Sequence, residues 1–340
     1  MRILVFRFSS MGDVAIAVPV IMQVLEQNPS LEIIFVTRPQ FIELFPEHDR
    51  LIIFNADVDK VYKGIIGLRK LYKKLTTLYS FDAIADLHDV TRTQILKKLF
   101  AKSNLKIATL YKGRNEKKQL TRKKNKVVQQ LLSSAERYEN IFRELGLNIA
   151  LQNTYTSPIH FDKTNKEITS FIEPGFIYIG LAPFSKHVSK TYPIKNTERL
   201  IEILSHNEKI KMILFGGGEE KVLLSELIKK YPSLYYPSHL SLREQLYLMT
   251  KLKLMISMDS ANMHLASLVG VKVLSVWGAT HPFAGFLGYG QQVEDVIQKD
   301  LFCRPCSVYG NKNCYRKDHT YECLDIDPEL IAREIEKRIF

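Results

Sequence analysis

The stretch Ser-Met-Asp-Ser-Ala-Asn-Met-His-Leu-Ala-Ser-Leu-Val-Gly at residues 257–270 sets a polar cluster between an apolar run at 252–258 and an apolar segment of helical spacing at 263–269. A second apolar run follows at 271–276. This order of strand, polar turn, helix and strand puts Asp259, Ser260 and Asn262 where a strand hands over to a helix N-terminus. The free N–H groups and positive dipole end of such a terminus suit a phosphate. The plainer alternative is that Asp259 or Ser260 only caps the helix.

The same grammar opens the chain. An apolar strand at 3–8 leads through Ser9-Ser10-Met11-Gly12-Asp13 into an apolar helix at 14–27. A dinucleotide fingerprint would carry three glycines there, and only Gly12 is present, which disfavours an NAD-dependent dehydrogenase. The acidic residue stands in the turn, at the carboxyl end of the strand, where open α/β sheets place their chemistry. Asp13 is therefore a candidate general base, with helix capping as its simpler role.

Strand-like runs continue at 32–37, 51–55, 81–87 and 105–110, alternating with helical segments at 65–79 and 92–101 and followed by a helix at 135–145. Such alternation means right-handed βαβ units and a parallel sheet. Residues 146–165 are polar, carry Pro158 and suit a connection, with a short strand at 156–161 as an option. A second strand series runs through 176–181, 212–215, 252–258 and 271–276. Two α/β domains, 1–155 and 156–340, are the simplest expectation for 340 residues of which 46% are hydrophobic and 25% charged. No apolar run approaches the length of a membrane span, which predicts a cytoplasmic protein.

Four separated signatures give the chain a likeness. They are Arg-Phe-Ser-Ser-Met-Gly-Asp-Val (7–14), Phe-Gly-Gly-Gly-Glu-Glu (215–220), Met-Asp-Ser-Ala-Asn-Met-His-Leu-Ala (258–266) and Trp-Gly-Ala-Thr-His-Pro (277–282). Together they resemble the lipopolysaccharide ADP-heptose heptosyltransferases of glycosyltransferase family 9, over most of the chain. One departure is Ala261, where the family usually has Gly. The resemblance implies a GT-B fold, two Rossmann-like domains whose parallel sheets face a central cleft. The N-terminal domain would bind acceptor and the C-terminal one the nucleotide-sugar. It implies inverting transfer of a heptose from ADP-heptose to a lipid-linked anionic acceptor of the lipopolysaccharide inner core. A transferase using another nucleotide-sugar and a non-catalytic nucleotide-sugar-binding protein are the alternatives.

By the same resemblance Asp13 is the catalytic base, and Lys190, before Thr191-Tyr192-Pro193, contacts the donor phosphates. Ser10, Gly12, Gly217, Leu240, Asp259, Ser260, Ala261, His264 and Thr280 join the donor site, and Glu219 or Glu220 accepts from the ribose. A sugar leaving on a diphosphate needs positive charge, which Lys190 and helix amides would supply without a metal cofactor. Asp89 and Arg92, with Asp86 and His88 beside them, are acceptor-side candidates; capping is the competing role for Asp89.

Charge is uneven. The formal total is +12, and residues 112–126 hold eight Lys or Arg against Glu116 alone. Aromatic interleaving and nucleic-acid motifs are missing there, so an anionic glycolipid on the inner membrane face is the expected partner and nucleic acid is not. Lys117, Lys118, Arg122, Lys123 and Lys124 are then acceptor-binding candidates of a peripherally attached monomer, and a solvated loop is the alternative. The four cysteines, Cys303, Cys306, Cys314 and Cys323, cluster near His319. A CxxC pair permits a structural zinc, but the wide second spacing favours reduced thiols and no metal.

Overall fold

The computed structural model describes residues 1–101, 104–152, 157, 159, 161, 166–316 and 321–340. Half of the optional strand at 156–161, and His319, lie outside them. The described chain forms two compact units, Met1–Lys112 with Ser134–His160, and Gly113–Ser133 with Phe161–Phe340.

In the first unit, β1 (Arg2–Phe6), α1 (Met11–Gln27), β2 (Glu32–Thr37), β3 (Leu51–Asn55), α2 (Gly64–Leu78), β4 (Ala83–Asp86), α3 (Thr91–Phe100) and β5 (Lys106–Thr109) follow the predicted alternation. The strands pair in parallel in the order β3-β2-β1-β4-β5. Ile3, Leu4, Val5 and Phe6 are all fully buried, as a central parallel strand covered on both faces requires. Leu68, Leu71 and Leu75 of α2 pack with Phe6, Leu96 and Phe100 in one core. The first helix starts at Met11, three residues earlier than the apolar run suggests, so Asp13 lies in its first turn and not in the preceding loop.

The basic segment departs most from expectation. It contains α4 (Arg114–Thr121) and joins the second unit, so the chain does not divide into consecutive halves at 155/156. The reason is apolar: Leu120 and Leu131 pack with Phe283, Ala284 and Phe286, and the Leu131 N–H donates to the Phe283 carbonyl at 2.9 Å. The chain then returns to the first unit with α5 (Ser134–Glu144), which packs against α1.

The second unit repeats the plan with α6 (Lys166–Phe171), β6 (Ile177–Ala182), α7 (Ile194–Ser205), β7 (Ile210–Leu214), α8 (Lys221–Lys230), α9 (Leu242–Met249), β8 (Leu254–Met258), α10 (Ala261–Leu268), β9 (Val273–Trp277), β10 (Val296–Gln298) and α11 (Pro328–Ile339). Its parallel sheet runs β10-β9-β8-β6-β7. Among the described residues no helix is long and apolar enough to cross a membrane.

Candidate active site

In each sheet the strand order reverses beside the first strand of the series, between β1 and β4 in one unit and between β6 and β8 in the other. A crevice opens outside the carboxyl ends of strands at such a switch point, and ligands of open α/β sheets bind there. Both sets of candidate residues fall at these two places.

At the first, Asp13 Oδ2 gathers three donors: the Ser10 backbone N–H at 3.1 Å, the Ser10 hydroxyl at 2.7 Å and the Arg7 guanidinium. Ser10 is the N-cap of α1 and Asp13 the third residue of the helix, so the capping role is realised. Arg7 also donates to the Leu87 carbonyl at 2.5 Å and lies over the Tyr138 ring. Burial works against its charge, but the Asp13 carboxylate more than offsets that and the guanidinium's pKa is raised. Tyr138 is buried, with its hydroxyl 3.5 Å from the Asp13 carbonyl.

His88, just past β4, completes this corner. Its Nδ1 accepts from the Phe8 N–H at 3.4 Å, which leaves the proton on Nε2, 3.2 Å from the Ser9 hydroxyl. Burial, reinforced by the Arg7 charge, pushes its pKa down to about 3, so the ring is neutral. Asp86 is fully buried and spans the turn: its Oδ1 accepts from the backbone N–H groups of His88 and Asp89, and its Oδ2 pairs with Lys97 at 2.9 Å. Asp89 does not cap α3, whose N-cap is Val90. Its carboxylate meets Gln94 at 3.1 Å and Lys97 at 3.5 Å, and its carbonyl accepts from Lys112. Arg92 pairs with Asp59, at 2.9 Å.

At the second switch point, the loop after β6 brings Lys190 to Asp259, just past β8, at 3.2 Å. The buried Thr280 hydroxyl, past β9, donates to the same Asp259 Oδ2 at 2.8 Å. Ser260 holds the N-cap position of α10 without a side-chain capping bond, its hydroxyl instead lying 3.3 Å from that of Ser257. The expected capping by Asp259 or Ser260 is therefore not what occupies these side chains. Ala261 is the first residue of the helix, and His264 is buried one turn further on.

The remaining donor-side candidates lie on neighbouring loops of the same edge. Gly216, Gly217 and Gly218 leave β7, and a Cβ on Gly216 would sit 2.8 Å from Glu220 Oε2. Glu220 is half-buried, its carboxyl pushed up by burial and partly relieved by the Gly217 backbone N–H, whereas Glu219 is exposed. Leu240 is buried just ahead of α9.

Several supporting residues carry little local sequence signal. Arg304, between two cysteines, is buried and donates to the carbonyls of Gly278, Thr280 and Lys299, fixing the loop that carries Thr280. Gly310 lies against the Lys190 stem, where a Cβ would come within 2.5 Å of Lys190 Cγ. An arginine inside CxxC, and one at the end of an apolar strand as with Arg7, are the clues that were there to find.

One of the basic acceptor candidates is not a surface charge: Lys117 is buried with its ammonium 4.5 Å from the Phe286 ring centroid. Lys118, Arg122, Lys123 and Lys124 are exposed, the Lys123 ammonium lying 4.8 Å from the Tyr315 ring centroid. Lys126 donates to the carbonyls of Cys303 and Pro305, both at 2.8 Å, tying the segment to the cysteine loop. All four cysteines are free thiols, and no cluster able to hold a metal occurs among the described residues.

The profile of glycosyltransferase family 9 (heptosyltransferase) matches residues 68–315. Among solved structures, a family 9 glycosyltransferase from Veillonella parvula is similar at 19% identity and a TM-score of 0.72, over 99% of this chain and 97% of that one. E. coli ADP-heptose lps heptosyltransferase II gives 15% and 0.69 over 100% and 98%. E. coli heptosyltransferase WaaC with ADP-2-deoxy-2-fluoro heptose gives 17% and 0.67 over 99% of each. Among curated proteins no sequence match is found.

Proposed function

The chain belongs to glycosyltransferase family 9, and from that premise we propose that it transfers heptose from ADP-heptose, with inversion, to a hydroxyl of an anionic lipid-linked acceptor of the lipopolysaccharide inner core. The observation that carries the donor half is the Lys190–Asp259–Thr280 cluster at the switch point of the second sheet. The ADP-2-deoxy-2-fluoro heptose named with E. coli WaaC, and the ADP-heptose in the name of E. coli heptosyltransferase II, support the choice of nucleotide.

In this reading the acceptor oxygen attacks the anomeric carbon as the bond to the diphosphate breaks. The diphosphate departs with the electron pair, and the acceptor's proton passes to Asp13. The proton moves late, as the new C–O bond raises the hydroxyl's acidity. Lys190 and the open N-terminus of α10 stabilise the leaving diphosphate. Asp259 meets no phosphate in this scheme; with Thr280 it holds the Lys190 ammonium in place beforehand. Ser10, Gly12, Gly217, Leu240, Ala261 and His264 complete the donor contacts. Glu220 is preferred over Glu219 for the ribose hydroxyls because its carboxylate is braced by the glycine loop. On the acceptor side stand Asp89, with Arg92 and the exposed Lys118, Arg122, Lys123 and Lys124. No metal cofactor is required, and the protein works at the inner membrane face.

The test is a panel of nucleotide-sugars read by thermal stabilisation, because a ligand of the native state alone raises the melting temperature by mass action. ADP-heptose and ADP should stabilise strongly and UDP-sugars should not. A UDP-sugar that stabilises more than ADP-heptose overturns the donor assignment.

A further inference from the structure

We propose that the exposed face of α2 is a docking surface for an anionic lipid bilayer, an inference that rests on the lipid-linked acceptor proposed above. The helix buries Leu68, Leu71 and Leu75. On its opposite face, at spacings i, i+3, i+4 and i+7, stand Ile66, Arg69, Lys70 and Lys73. Ile66 is 82% exposed, Ile65 58% and Val61 54%. A lone exposed isoleucine needs no explanation, but three large apolar side chains within six residues do.

Their setting is fixed. Gly67 lies so close to the loop before the helix that a Cβ there would be 2.2 Å from the Tyr62 carbonyl carbon. The first turn and the loop carrying Val61 are thus locked together, and the apolar tip is presented as a unit.

Charge selects the occupant. Lys60, Lys63, Arg69, Lys70, Lys73 and Lys74 are all exposed, and no Asp or Glu occurs from Lys60 to Phe81. Among the described residues no ion pair engages any of the six, and the adjacent Asp59 is held by Arg38 and Arg92. A single-signed set of flexible cations around an apolar tip lacks the mixed polar pattern of a protein interface. It matches a diffuse negative plane into which short apolar side chains can dip.

Co-sedimentation with phosphatidylcholine vesicles, with and without phosphatidylglycerol, tests this. The protein should bind the anionic vesicles and not the neutral ones. Replacing Arg69, Lys70, Lys73 and Lys74 together with Gln should lower the partition by about two to three orders of magnitude. Ile65→Ser with Ile66→Ser should weaken binding without changing its salt dependence. Stabilisation by ADP should be the same in every variant, which checks the fold. As a second measurement, Ile66→Trp should show blue-shifted emission on anionic vesicles. Equal binding to both vesicle types, undiminished binding by the Gln variant, or unchanged Trp emission overturns the surface. Vesicle binding by a protein that transfers to no lipid-linked acceptor would leave the surface standing and sink the acceptor reading; transfer without vesicle binding would do the reverse.

Discussion

Replacing Asp13 with Asn should damage both stability and turnover, and the two losses can be separated through Arg7. Asp13 Oδ2 accepts from Ser10 twice and pairs with a guanidinium that is itself buried. Removing one partner of a fully buried ion pair costs about 3–5 kcal/mol. The Asp13 side chain keeps 26% exposure and Asn retains one acceptor oxygen, so the expected cost falls to about 1–3 kcal/mol, roughly 1–4 °C in melting temperature for a chain of 340 residues. Loss of a general base lowers kcat by about 10²- to 10⁴-fold, with donor affinity nearly intact. The double variant Arg7→Met with Asp13→Asn no longer buries an unpaired cation, so it should regain most of the stability while turnover stays lost. Arg7→Met alone should reduce kcat less than Asp13→Asn does. The assays are kcat on the lipid-linked acceptor, donor binding by calorimetry and melting temperature across the cycle. If the double variant recovered activity together with stability, or if Asp13→Asn turned over near the wild-type rate, Asp13 would be a helix cap and ion-pair partner and not the base.

Thr280→Val, which keeps the shape but removes the 2.8 Å bond to Asp259, should weaken ADP-heptose binding by roughly tenfold, read by calorimetry; unchanged affinity would detach Thr280 from the donor site. Between pH 6.5 and about 3 the unfolded chain protonates His88 while the folded one does not, so stability is fully present above pH 6.5 and falls with acid by about 1.4 kcal/mol per pH unit. His281, lowered by burial to about 4, adds a second such slope, and denaturant titrations of His88→Asn should show one slope fewer. A slope that the variant does not change would mean that His88 protonates normally. Burial raises the Cys306 and Cys323 pKa values, so these thiols should resist alkylation until denatured, and chelator-washed protein should contain no stoichiometric metal. About one equivalent of metal, lost together with the fold, would overturn the free-thiol reading.

The first sheet was legible because its strands are runs such as Ile33–Val36 that are buried on both faces, and because helices of ordinary length separate them. Asp13 and Asp259 stand out in the sequence for a related reason: each is a carboxylate in the polar turn or first helical turn that follows an apolar strand, and in a parallel sheet the strands' carboxyl ends lie on one edge. What holds these carboxylates was not legible. The partners of Asp259 come from positions 69 residues before it and 21 after it, and no local pattern encodes such a separation. Arg304 works through backbone carbonyls, which carry no residue identity at all.

The basic segment shows how packing adds to what composition can tell. Eight cations within 112–126 suit contacts to an anionic acceptor, with a solvated loop as the alternative. Their fate is decided by Leu120 and Leu131, the buried apolar residues that draw the segment onto Phe283, Ala284 and Phe286 in the second unit. Once it lies there, Lys117 meets an aromatic face and Lys126 two carbonyls, uses of an ammonium that need no anion. In α2 the cations lie on the face opposite its buried leucines, beside isoleucines that the core leaves outside. Counting charge alone ranks the first segment above the second; asking what the apolar residues between the charges are packed against reverses that order.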